Sequence, residues 1–127
     1  MSYSLMIVDD SAIIRSALRK TIDMTSIPVD RLVKAEDGID ALEKLKTTWV
    51  DIIFCDIHMP RMSGLELFET LRKNPEYKRI PFVIVSTEGS ETRIKELLDK
   101  GVAGYIRKPF KPEEIRDVMI NIFGSWR

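Results

Sequence analysis

Several apolar runs in this chain stop abruptly at a group that can do chemistry. Leu5-Met-Ile-Val8 ends in the pair Asp9-Asp10, and Ile52-Ile-Phe-Cys55 ends in Asp56, after which Pro60 and Gly64 force the backbone into a loop. Two further runs end in a hydroxyl and an amine: Pro81-Phe-Val-Ile-Val85 in Ser86, and Ala103-Gly-Tyr-Ile-Arg107 in Lys108. Three carboxylates brought together repel, and without a cation at least one takes up a proton. Oxygen-only ligands suit a hard ion, and Mg2+ takes one or two carboxylates while keeping waters and a place for a phosphoryl oxygen. Asp9, Asp10 and Asp56 are therefore expected to hold Mg2+, with the backbone carbonyl of His58 as a further ligand. In phosphoryl transfer, with metal on one oxygen, the Lys108 ammonium and the Ser86 hydroxyl suit the others. Asp56 would then be the nucleophile, forming a labile acyl phosphate.

Taken singly, these signals are ordinary. An Asp-Asp pair after a strand is a common turn or helix cap, and a lone lysine is usually solvated. Convergence of four separate stretches is what makes the combination specific. His58 is the sole histidine and Cys55 the sole cysteine, so no zinc cluster can form from these residue types. Cys55 precedes Asp56 in a strand and must face the other way, into the core. Asp51, at the start of that run, belongs at the sheet's edge or in solvent, and Lys111, Glu113 and Glu114 read as a solvated helix start. Trp126 is expected to pack loosely or stand exposed, and carries no functional argument.

These residues need a scaffold that brings strand ends together. Leu5–Val8 reads as a doubly covered strand, and Ile13, Ile14, Ala17, Leu18 and Ile22 then fall on one helical face over residues 12–23, with Arg15, Arg19 and Lys20 opposite. Residues 25–30 form a connection, 31–36 a second strand, and Asp37-Gly38 a turn before a helix carrying Ile39, Leu42 and Leu45. The strand ending at Asp56 is third, followed by a helix with Leu65, Leu67, Phe68 and Leu71 that Asn74-Pro75 terminates. Residues 81–85 make the fourth strand; Ser90 caps a helix with Ile94, Leu97 and Leu98, and Gly101 suits its left-handed end. Residues 103–107 form the fifth strand, and Pro112 opens a last helix with Ile115, Val118, Met119, Ile122 and Phe123 inward. Five strands alternating with five helices specify an α/β fold, a doubly wound parallel sheet with helices on both faces. Its carboxyl edge, where such folds bind ligands, gathers Asp9, Asp10, Asp56, Ser86 and Lys108.

At 127 residues the chain makes one domain, and with 20 basic and 20 acidic residues it has no bulk charge to attract nucleic acid. No apolar run approaches the roughly 20 residues that span a bilayer, so membrane insertion is not expected. A lone cysteine and a start without a secretory pattern suggest a cytoplasmic setting.

With these residues in place, the chain resembles the receiver domains of two-component response regulators, nearly end to end. The match covers Asp9-Asp10, the Asp56-Ile-His-Met-Pro60 segment with Gly64, Ser86, and Lys108-Pro109-Phe110. Ala35-Glu-Asp-Gly38, Asp40-Ala-Leu42 and Gly104-Tyr105 are most similar to stand-alone regulators of the chemotaxis type. The resemblance implies a flavodoxin-like (βα)5 sheet of order 2-1-3-4-5 and a single receiver domain over residues 1–127, acting as a monomer. It also implies a histidine kinase as phosphodonor, Mg2+ as cofactor, and a downstream target such as a flagellar switch or a phosphatase. It further implies a switch in which Ser86 moves toward the phosphoryl group and Tyr105 turns inward, altering the surface of the fourth helix, fifth strand and fifth helix. Without the resemblance, Tyr105 reads as a half-buried aromatic. Lys108-Pro109 should be cis by the same resemblance. Thr87 stands where many family members have alanine or glycine, and its branched side chain should narrow access to the phosphoryl group; His58 and Glu88 flank the site on loops that control water access.

Competing readings differ in output. A single-domain phosphorelay intermediate, or a receiver belonging to a longer transcriptional regulator, would use the same residues. A Mg2+-dependent aspartyl phosphohydrolase would pair its nucleophile with a second acid two residues on, where this chain has His58. An interaction module that is never phosphorylated would not need all five site residues. The expected activity is thus that of a phosphoacceptor catalysing only its own phosphorylation and dephosphorylation, rather than a turnover enzyme.

Overall fold

The computed structural model describes residues 2–124; Trp126 lies outside them. In chain order the elements are β1 (Tyr3–Val8), α1 (Ala12–Asp23), β2 (Val29–Ala35), α2 (Gly38–Leu45), β3 (Ile52–Cys55), α3 (Gly64–Arg72), β4 (Phe82–Ser86), α4 (Glu91–Lys100), β5 (Gly104–Arg107) and α5 (Pro112–Phe123). The strands form one parallel sheet of order β2-β1-β3-β4-β5. The expected α/β architecture, flavodoxin-like strand order included, is the one observed.

Alternation along the strands divides the core. Leu5 and Ile7 of β1 and Ile52 and Phe54 of β3 pack against Leu18 and Ile22 of α1 and Ile115 and Met119 of α5. Met6, Val8, Ile53 and Cys55 face the other way, toward Ala41 and Leu45 of α2, Leu67, Phe68 and Leu71 of α3, and Leu97 of α4. Helices on both faces leave β3 and β4 buried at every residue, and all of those residues except Ser86 are apolar. Phe54 is among the largest fully buried side chains, and truncating such a residue to alanine costs about 3–5 kcal/mol.

Helix ends follow local chemistry. Ser11, Asp37, Ser63 and Ser90 each accept a backbone N–H in the first turn of α1, α2, α3 and α4, and Ser63 with Glu66 completes a capping box. Gly101 ends α4 at φ 109°, a conformation that glycine adopts without strain. Asp51 does lie at the amino edge of the sheet, where its carboxylate accepts the Ser4 N–H at 2.7 Å.

Boundaries of β2, β4 and β5 differ from expectation by one residue, and two differ by two: β1 begins at Tyr3, not at Leu5, and β2 at Val29, not at residue 31. Tyr3 pairs with Val29 and Ser4 with Arg31, so the register slips by one residue at Asp30. Such a bulge breaks the two-residue period on which strand recognition depends.

Candidate functional site

The carboxyl ends of β1, β3, β4 and β5 deliver the reactive groups. Asp9 immediately follows β1 and Asp56 follows β3, where its N–H donates to the Val8 carbonyl at 2.9 Å. Lys108 follows β5 and is tied by its N–H to the Ser86 carbonyl at 2.9 Å; the next peptide bond, Lys108-Pro109, is cis. Gly64 lets α3 start directly beneath the site: a Cβ there would collide with the Asp56 carbonyl, and its N–H closes the loop on the Ile57 carbonyl at 2.8 Å.

One carboxylate oxygen each from Asp9, Asp10 and Asp56 lies within 4.8 Å of the others. Among the described residues this is the one acid group close enough to share a metal ion. Lys108 Nζ contacts Asp9 Oδ2 at 2.9 Å and stands 3.7 Å from Asp56 Oδ1. Three carboxylates against one ammonium leave two negative charges uncompensated. The donor set is all oxygen, Asp10 is exposed, and so the cluster fits a hard cation that keeps solvent ligands. Backbone donors fix the acids: Ser11 N–H to Asp9 Oδ1 and Ile57 N–H to Asp56 Oδ1, both 2.9 Å. Burial raises the Asp56 carboxyl above its ordinary range; Asp9 and Asp10 add to the rise, while Lys108 and the Ile57 N–H offset part of it.

Around this pocket the remaining residues take distinct places. Ser86 is buried and its hydroxyl accepts the Glu88 N–H at 3.2 Å. The Tyr105 hydroxyl donates to the Glu88 carbonyl. Burial raises the Tyr105 phenol above its usual value. Thr87 is exposed beside the site and lines an apolar slot with Ile14, Ala17, Lys108, Pro109 and Phe110. His58, with its side chain 72 % exposed, pairs through Nε2 with Glu88 Oε2 at 3.2 Å and so bridges the loops after β3 and β4. Cys55 is fully enclosed, its Sγ 3.1 Å from the Asp56 carbonyl oxygen; burial first, then Asp56 and Asp9, push its thiol well above the usual pKa.

Two contributors were not foreseen. Arg15, assigned to the solvated face of α1, donates to the Asp9 carbonyl at 2.5 Å. Asp37, read as half of a turn signal, is buried and bound by Arg61 Nε at 2.6 Å. Thirty-seven to sixty-one is a long-range pairing, and a polar residue at a loop gives no sequence signal of its partner.

The chain is thus a doubly wound α/β protein whose acid cluster lies in the crevice at the carboxyl ends of the strands, where such sheets bind their ligands. The chain belongs to the response regulator receiver domain family, whose model matches residues 5–120. It is 34% identical over 122 residues to a chemotaxis protein CheY homolog of Campylobacter jejuni, covering 95% of this chain and 92% of that protein. CheY1 of Helicobacter pylori is 31% identical over 122 residues, 95% of this chain and 97% of its own. Among solved structures, the chemotaxis response regulator CheY4 of Vibrio cholerae aligns with a TM-score of 0.82 at 29% identity, covering 97% of this chain and 100% of that one. The protein is accordingly a receiver-type signalling domain. No helix among the described residues is long and apolar enough to cross a membrane.

Proposed function

We propose that this chain is the phosphoacceptor of a two-component system, taking a phosphoryl group onto Asp56 from the phosphohistidine of a histidine kinase. The observation that carries the reading is the crowding of Asp9, Asp10 and Asp56 oxygens within 4.8 Å, with the Lys108 ammonium reaching two of the three acids. In the transfer a carboxylate oxygen of Asp56 bonds to phosphorus as the P–N bond to the donor imidazole breaks, the electron pair leaving with the imidazole. Asp9, Asp10, Asp56 and the His58 carbonyl would hold Mg2+, whose charge, when it is bound, balances the acids and the incoming phosphoryl oxygens. Lys108 Nζ, 3.7 Å from Asp56 Oδ1, is within reach of an oxygen on the group added there.

Ser86 then moves toward the phosphoryl group and gives up the Glu88 N–H, and Tyr105 turns further inward. Because the Tyr105 hydroxyl is held by the Glu88 carbonyl, that movement involves the loop before α4 and changes the face formed by α4, β5 and α5, where a target binds. The chemotaxis relatives support a chemotaxis-type pathway. The target in such a pathway would be a flagellar switch or a phosphatase. The protein works as a cytoplasmic monomer and catalyses only its own phosphorylation and dephosphorylation.

Incubation with acetyl phosphate and Mg2+ tests this. Intact mass should show a single phosphoryl group, absent with EDTA and absent in Asp56→Asn. Unmodified wild type, or full modification of Asp56→Asn, would sink the reading.

A further inference from the structure

The loop between β3 and α3 contains a turn that a chain seldom adopts unaided. The Met62 N–H donates to the Pro60 carbonyl at 2.6 Å, closing a three-residue γ-turn, and the central residue Arg61 sits at φ 64°. A positive φ at the centre is the strained form of this turn, and a residue with a Cβ stays there only where its surroundings hold it.

Two contacts provide that hold. Arg61 brings Nε to 2.6 Å and Nη2 to 2.5 Å from the same oxygen, Asp37 Oδ2. Met62 lies so close over Gly38 that a Cβ at position 38 would overlap its side chain. Asp37 is a firm anchor because its other oxygen, Oδ1, accepts the Asp40 N–H at 2.8 Å and caps α2. Its carboxylate is 4% exposed while the Arg61 side chain is 53% exposed, so the arginine reaches inward from the surface to a fixed point. Arg61, Asp37 and Pro60 also share one surface hollow with Asp10 and Glu36, which places the clamp against the acid cluster.

A side-chain ligand can be re-aimed by rotation about its own bonds. A main-chain carbonyl is aimed only by the backbone that carries it. His58, whose carbonyl is the loop's ligand in the proposed site, lies three residues before Arg61 in the segment that the γ-turn terminates. We propose that Arg61 is a positioning residue for the cation: its ion pair with Asp37 locks the γ-turn against α2 and thereby fixes the direction of the His58 carbonyl. This rests on the reading that Asp9, Asp10 and Asp56 hold Mg2+.

The test compares Mg2+ affinities of folded proteins by titration calorimetry, alongside thermal melts without metal. Arg61→Gly removes the guanidinium and places at φ 64° a residue that accepts it freely. Its Mg2+ dissociation constant should rise about tenfold, the lower end of what losing an outer-shell partner costs. Asp37→Asn keeps an oxygen for the α2 cap and should weaken binding to the same extent, and the double variant should be no weaker than either single. A lower melting temperature with unchanged Mg2+ affinity in Arg61→Gly overturns the proposal and leaves the clamp a stabilising contact alone. A double variant whose loss is the sum of the singles overturns it too, since the two residues would then act separately. If wild type itself binds no Mg2+ at millimolar concentration, the cation site falls and the clamp's role with it, an outcome distinct from the other two.

Discussion

Asp37 and Asp56 are both carboxylates set in crowded places at the carboxyl edge of one sheet, and they are treated in opposite ways. Burial pushes the Asp37 carboxyl up, yet the Asp40 N–H and the Arg61 guanidinium together bring it below its ordinary range. Each of its oxygens has a dedicated partner. Asp56 is raised instead, because burial and the neighbouring acids outweigh Lys108 and a single backbone donor. A satisfied carboxylate serves architecture; one left short of positive charge suits the cation-binding and acceptor role proposed for Asp56. The difference is carried by partners rather than by depth alone.

Breaking the reactive half should have the largest effect. Asp56→Asn should abolish acetyl-phosphate labelling altogether, read as loss of the added mass. Next comes Lys108→Ala, which should still bind Mg2+ but lose most of the coupling between phosphorylation and target affinity; an unchanged gain in affinity on phosphorylation would remove Lys108 from that role.

The architectural half should respond to acid. Because the folded Asp37 carboxyl titrates below its unfolded value of about 3.9, its stabilising contribution is complete above that pH and is lost as pH falls through the lower folded value. The stability gap between wild type and Asp37→Asn should therefore be widest at neutral pH and narrow below about pH 4, on the order of 1 kcal/mol at its widest given the exposed arginine. Urea unfolding of both proteins at two pH values checks this, and a gap that grows in acid would reverse the assignment.

The smallest effect concerns access. Thr87 is exposed beside Lys108 and Pro109, so Thr87→Ala should shorten the acyl-phosphate lifetime by less than about tenfold, or about 1.4 kcal/mol of barrier. An equal or longer lifetime would dismiss crowding by its methyl group.

Most of the fold and the reactive cluster could be read from the chain, because apolar runs that end in Asp9, Asp56, Ser86 and Lys108 mark both the strands and their shared edge. What resisted reading was pairing. Asp37 followed by Gly38 looks like a turn, and nothing local ties it to Arg61, 24 residues on. Arg15 falls on the polar side of α1 by periodicity, yet its reach back to the Asp9 carbonyl depends on how the helix leaves the sheet. His58 and Glu88 were each placed beside the site, but their contact requires two loops to meet in space. The early start of β2 was hidden by the slip at Asp30. Patterns of period two and 3.6 report which face is buried; they do not report which long side chain crosses a loop.

The enclosure of Cys55 has a practical consequence. With its sulfur sealed in the core and its proton held tightly, the native thiol should ignore maleimide reagents at neutral pH. A cysteine introduced at exposed Ile13 or Trp49 would then be the sole point of attachment for a fluorophore or spin label, on an otherwise unaltered chain.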